Sequence, residues 1–437
     1  MTRGRMILAS AGLFAAAFIA GSLLRVDQSA AARRVRARIA AVRGPKFPAG
    51  DTLALADTMR ARCGALTGRP KMDCYGAQLE GLRVQRGTRF AMGALDRLTT
   101  IDREVAYSGH EYAHMIGIAS YKDGLDVTSA FASCTEILQS GCYHGVIETY
   151  LLSVPHIGRE EVNAVCRAWS GPDGDRWLRF QCVHGMGHGL ELALRHDLPK
   201  ALAGCDLLAE EWDRKSCYGG AFMENIVFAV DPSMAQMVMG DAPADHHASM
   251  PGMAEGPAYK MIDRSDPYYP CDALPGTYQE DCWMMQGAVM LQIYNGDFAK
   301  TFAACDGAPE PWRATCYQGT GTEISGAVMM DHHDAILYCQ RGSARYRPWC
   351  YEGVVKNFVD VTARSEDAVA FCREVPERGG QLLCYQSVGE EIAALRNTPE
   401  QRRPLCEAVT GDPAGRDACL FGAQVIPAPP RGIPAVD

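Results

Sequence analysis

Residues 295–326, "NGDFAKTFAACDGAPEPWRATCYQGTGTEISG", contain the unit from which the fold is read. Asp297 is a residue type that caps a helix start, and Phe298, Phe302 and Cys305 follow at i, i+4 and i+7 on one helical face. The turn "DGAPEP" interrupts that helix. Pro311 then opens a second one, because its fixed φ suits a first helical turn and its missing N–H would have no partner there anyway. Cys316 falls in the first turns of the second helix, so an antiparallel pair joined in this way brings Cys305 and Cys316 together.

The same plan recurs along the chain. The 18 cysteines fall in pairs at 63/74, 134/142, 166/182, 205/217, 271/282, 305/316, 339/350, 372/384 and 406/419. With the second cysteine as anchor, positions 282, 316, 350, 384 and 419 are 34, 34, 34 and 35 apart. The step from 74 to 142 is twice 34, which assigns a vacant anchor to Ser108 and makes ten repeats. Tyrosine follows the anchor at Tyr75, Tyr143, Tyr218, Tyr317, Tyr351 and Tyr385, and glycine lies three beyond it at Gly145, Gly185, Gly220, Gly319, Gly353 and Gly422. Self-similarity at a fixed period of this length marks a solenoid.

The expected fold is therefore all-α: a solenoid of about ten 34-residue helical hairpins over residues 55 to 425, nine of them stapled by a disulfide within the repeat. It is tetratricopeptide-like in length only, since the tryptophan-leucine-glycine-tyrosine signature of that repeat is absent. Each staple closes a loop worth roughly 2 to 3 kcal/mol in the loop-entropy picture. The spacing does not resemble the C-x-x-C pairs of zinc sites.

Of the 437 residues 47% are hydrophobic, enough to bury a large core. Residues 1–28 read as a signal peptide or N-terminal membrane anchor, because Met6 to Leu24 carries no charge and follows Arg3 and Arg5, so a membrane is one expected partner. Residues 29–54 form a basic juxtamembrane segment. By the positive-inside rule its arginines would hold the far side in the cytoplasm. The paired cysteines argue the other way, since such a framework persists in an oxidising compartment, and they place the body outside the cytoplasm, periplasmic or at the cell surface.

The net charge is −9; residues 1–50 carry nine Lys or Arg against Asp27, a net of +8, which leaves −17 on the rest. An acidic body excludes nucleic acid as a partner and attracts cations. Residues 228–268 interrupt the repeat with a Met/His/Pro-rich loop containing His246 and His247, either a linker or an arm with soft donors for copper. Residues 269–425 resume the repeats, and 426–437 form a proline-rich tail.

The histidines fall in register. Two and six residues past successive anchors stand His110/His114, His144/Glu148 and His184/His188. Residues four apart share a helical face, and equivalent positions on neighbouring solenoid helices share a wall. Five imidazoles and a carboxylate on one wall suit a mono- or dinuclear centre of a divalent transition metal, Zn, Fe, Cu or Mn. Five unpartnered imidazoles facing one another would otherwise be costly to bury.

"HEYAH", residues 110–114, also resembles the zincin H-E-x-x-H motif, which implies His110 and His114 as ligands and Glu111 as general base. No third histidine at the metzincin spacing follows. In "CVHGMGHGLEL", residues 182–192, Gly187 and Gly189 leave space beside His188 for a metal-bound ligand or substrate. The leading expectation is a metal-dependent enzyme, hydrolytic or oxidative, acting through bound water or dioxygen. The alternatives are metal trafficking or storage, and a scaffold that takes a small molecule, peptide or protein in the solenoid groove. Nucleophile-elbow, P-loop, dinucleotide and C-x-x-C-H motifs are all absent, which excludes serine hydrolysis of that type, nucleotide use and covalent haem.

Overall fold

The computed structural model describes residues 52–434 apart from 123, 125, 155, 172–173, 231–259 and 363. All regular elements among them are helical, and ten units, each with an inner helix, follow one another in the expected order. Their inner helices are α1 (Gly68–Arg86), α2 (Gly109–Lys122), α3 (Gly141–Ser153), α4 (Arg176–Ala193), α5 (Glu211–Val230), α6 (Gly276–Ile293), α7 (Arg313–Ala327), α8 (Arg347–Thr362), α9 (Arg378–Leu395) and α10 (Pro413–Gly422). Among the described residues an outer helix precedes each except α6, which follows turns through residues 262–274. Gln286 of α6 fastens those turns by donating to the carbonyls of Pro267 and Tyr269 at 2.7 and 2.9 Å.

The repeat signature explains how each hairpin closes. Nine disulfides join the end of the outer segment to the inner helix, with Cα separations of 5.4 to 5.8 Å. Aspartates such as Asp197, Asp297 and Asp331 cap the outer helices by accepting backbone N–H groups. The basic residue before the anchor and the tyrosine after it latch the turn. Arg347 and Tyr351 share Glu377 at 2.7 and 3.0 Å, and Lys71 and Tyr75 share Asp102 at 2.9 and 2.8 Å.

Neighbouring inner helices run parallel and meet through glycine. A side chain at Gly220, Gly319, Gly353 or Gly422 would overlap the carbonyl of His184, Met284, Gln318 or Gln386, each two residues past the preceding anchor. Conversely, a side chain at Gly187, Gly321 or Gly389 would overlap the carbonyl of Cys217, Cys350 or Cys419, the following anchor. The α4–α5, α7–α8 and α9–α10 crossings are thus reciprocal pairs of glycine–carbonyl contacts. Gly187 is consequently filled by backbone, and Gly189 faces Leu151 and Glu148 of α3, so neither provides the ligand space expected from the sequence. The same contacts correct the vacant anchor. Gly117 faces the carbonyl of Cys142 and Gly145 that of His114, which puts the structural equivalent of the anchor cysteine at Tyr112, one helical turn beyond Ser108. Four residues return almost to the same helical face, so the histidines keep their wall.

Units five apart also touch. Arg103 meets Met329, Gln139 donates to Asn357 at 2.6 Å, Leu138 N–H donates to the Val361 carbonyl at 2.9 Å, and Asn397 donates to the Gly174 carbonyl at 2.9 Å. The solenoid therefore makes one superhelical turn in about five repeats, and its second turn stacks on the first. A cleft of about 370 Å³ remains at this junction, lined by Trp169, Arg176, Trp212 and Asn397 among others. Across the insertion, Lys215 of α5 pairs with Glu280 of α6 at 2.7 Å.

The expectation of a membrane partner is corrected. No helix among the described residues is long and apolar enough to cross a membrane, and the segment Met6 to Leu24 on which it rested lies outside them. The Met/His stretch of the insertion, 231–259, lies outside them too.

Candidate metal centre

Helices α2 to α5 each contribute to one cluster of buried polar side chains. His110 and His114 project from α2, His144 and Glu148 from α3, His184 and His188 from α4, and Glu224 from α5. The five imidazoles form a continuous group: ring centroids lie 4.5 Å apart for His110–His114, 5.4 Å for His114–His144, and 5.1 Å for both His144–His184 and His144–His188. His110 and His114 are half-buried and mark its open side, whereas His144, Glu148 and His188 are almost wholly enclosed.

Within the cluster, two triads bring one ligand atom each to within 4.8 Å of the others: His110/His114/His144 and Glu148/His188/Glu224. Glu148 joins them. Its carboxyl lies 3.2 Å from His114 Nδ1 and 4.0 Å from His188 Nδ1. Glu224 reaches His188 Nδ1 at 3.0 Å. His184 belongs to neither triad and sits between His144 and Phe180. Glu111 follows His110 by one residue, about 100° round the helix. The carboxylate that His114 meets is Glu148 instead.

Hydrogen-bond bookkeeping shows where lone pairs are left. A carbonyl only accepts, so His110 Nδ1 carries the proton in its 2.9 Å bond to Leu138, and His110 Nε2 is bare. That atom lies 3.0 Å from His114 Nε2. When Glu148 is ionised it accepts from His114 Nδ1, and two bare Nε2 atoms then face each other, an arrangement that a shared cation satisfies. Nitrogens on one tetrahedral zinc would lie about 3.3 Å apart. His144 donates from Nε2 to Gln181 at 3.1 Å, leaving Nδ1 bare. His144 Nδ1, Glu148 Oε1 and His188 Nε2 are all buried without a hydrogen-bond partner among the described residues.

Burial sets the protonation states. Desolvation pushes His110 down to about 3 and His114 and His184 down to about 4, and holds His144 and His188 well below the usual imidazole range. The imidazoles are neutral, as metal ligation requires. The same desolvation pushes Glu148 up to about 8 and raises Glu224 well above the carboxylate range, with the charge of Glu148 adding to the latter. Without metal, a protonated Glu148 donates to His114 Nδ1, His114 Nε2–H donates to His110, and His110 Nδ1–H donates to Leu138. Each polar contact in that row is satisfied, and replacing the Glu148 proton with a metal uncovers both Nε2 lone pairs.

The wall was legible from the register, but Glu224 was not. It stands seven residues past its anchor, next to Met223 at the sixth, so a search confined to the second and sixth positions passes over it. A lone acid, with Asn225 beside it, in the mostly apolar run "AFMENIVFAV" was the available signal. Compared with known proteins, the chain matches no family model, no curated protein and no solved structure.

Proposed function

We propose that this protein is an exported metalloprotein whose α2–α5 wall holds a dinuclear centre, and that the centre is a metal-dependent catalyst, hydrolytic or oxidative. His110, His114 and His144 hold one ion and Glu148, His188 and Glu224 the other, with Glu148 also accepting from His114 Nδ1 and so linking the two. The observation that carries this reading is the pair of adjoining triads joined by a buried carboxylate with an unpartnered oxygen. Two adjacent metals can polarise a bound substrate and activate water or dioxygen. The half-buried His110/His114 side supplies access, and the enclosed side fixes the ligands. His184 lines the wall beside the centre, and Glu111 is left with no direct part in it. The nine disulfides agree with life in an oxidising, extracytoplasmic compartment.

Metal analysis of protein purified from an oxidising compartment tests the reading, with wild type beside His144→Ala and His188→Ala. At least two ions per wild-type chain and the loss of one or two of them in each variant are expected. Wild-type protein that takes up no stoichiometric metal would sink the proposal. Storage or trafficking is the second reading, favoured by how completely Glu148 and His188 are enclosed. It predicts metal that exchanges freely with chelators and no turnover; catalysis predicts retained metal.

A further inference from the structure

We propose that Glu191, His196 and Asn225 hold a third cation, one helical turn beyond Glu148/His188/Glu224. Glu191 is completely buried, and neither of its carboxyl oxygens has a hydrogen-bond partner among the described residues. His196 Nδ1 lies 3.8 Å from Glu191 Oε2 and is likewise buried and unpartnered. Asn225 is 1% exposed, and its Nδ2 donates to the Met261 carbonyl at 3.2 Å while its Oδ1 has no donor among the described residues. Four buried atoms with lone pairs and no donor among the described residues are costly to leave so. A cation answers all four at once.

The helix register brings these groups together. Gly187 of α4 abuts Cys217 and Ala221 of α5, so one turn further Glu191 lies level with Glu224 and Asn225. His196 is held in place by the backbone rather than by chance. Arg195 and His196 both adopt left-handed conformations, at φ 59° and 56°, a costly arrangement for two non-glycine residues. His196 N–H donates to the Glu191 carbonyl at 2.7 Å, and its ring stacks on Phe228 with centroids 3.6 Å apart. These contacts turn the imidazole edge toward the Glu191 carboxylate. A carboxylate, an imidazole and an amide oxygen form a donor set for a divalent cation of borderline to hard character, such as Mn²⁺, Zn²⁺ or Fe²⁺, rather than Cu⁺.

The inference extends the metalloprotein reading, and it is tested separately from it. Full-length protein is stripped with chelator and titrated with Mn²⁺, and free Mn²⁺ is followed by electron paramagnetic resonance. Glu191→Gln is expected to bind one ion fewer than wild type, with that ion's affinity lost by tenfold or more. His144→Ala/His188→Ala is expected to keep one ion, which disappears when Glu191→Gln is added. Should Glu191→Gln fail to fold, His196→Gln takes its place in the same comparison. Equal stoichiometry in wild type and the folded variant overturns the third site. So does an infrared band of a protonated carboxyl that persists in Mn²⁺-saturated wild type and vanishes in Glu191→Gln. If the double histidine variant keeps every ion, the dinuclear reading fails and the third site stands.

Discussion

Glu148 shows how much one side chain decides. Its carboxyl is pushed up to about 8, so at neutral pH the metal-free protein holds a proton there that a metal must displace. The imidazoles are already neutral above about pH 4–5. Apparent metal affinity is therefore expected to keep rising with pH through neutrality as Glu148 and Glu224 lose their protons, whereas ordinary histidines would level off near 6.5. Calorimetry at pH 7 in buffers of different ionisation enthalpy should find protons released from both Glu148 and Glu224 on metal binding, and Glu148→Gln should remove its share of that release and leave the rest. Gly187 makes the opposite kind of point. Gly187→Ala forces a methyl group onto the Cys217 carbonyl, and a loss of about 1–3 kcal/mol is expected in denaturant unfolding. If instead the variant unfolds like wild type but binds metal poorly, the glycine serves ligand space after all.

At the scale of elements, the segment leading into α3 couples the two superhelical turns to the centre. Leu138, Gln139 and Ser140 all have positive φ, at 58°, 52° and 59°, a run that non-glycine residues adopt only when held. The second turn holds it: Asn357 accepts from Gln139, and the Val361 carbonyl accepts from Leu138 N–H. The Leu138 carbonyl in turn fixes His110. Asn357→Leu, in α8 and remote from any ligand, is thus expected to weaken metal binding by tenfold or so, leaving the number of ions unchanged. Unaltered affinity in a folded Asn357→Leu protein would show that His110 does not depend on the second turn.

For the whole molecule, the staples carry the load that short outer helices cannot. Outer helices of six to eight residues, such as Val127–Ala132 and Leu198–Cys205, would not persist alone. Each disulfide closes a loop of 8 to 16 residues and contributes roughly 2 to 3 kcal/mol. Reduction should lower the melting temperature steeply and release bound metal, because the wall is built from four consecutive stapled or glycine-clasped units. A reduced protein that melts like the oxidised one would contradict this account.

The sequence by itself determined the hairpin, its period, the pairing of the cysteines and the wall on which the histidines stand. Those features are local or strictly repeated, so spacing alone carries them. It also contained the glycines of the crossing without revealing their use, since a missing side chain looks the same whether it admits a ligand or a backbone. Only tertiary structure decided that the anchor of the second unit is Tyr112, that Glu224 stands beside His188 in the buried cluster, and that units five apart meet. Each depends on the relative rotation of neighbouring helices and on the superhelical pitch, which accumulate from small offsets at every glycine–carbonyl crossing and are written at no single position.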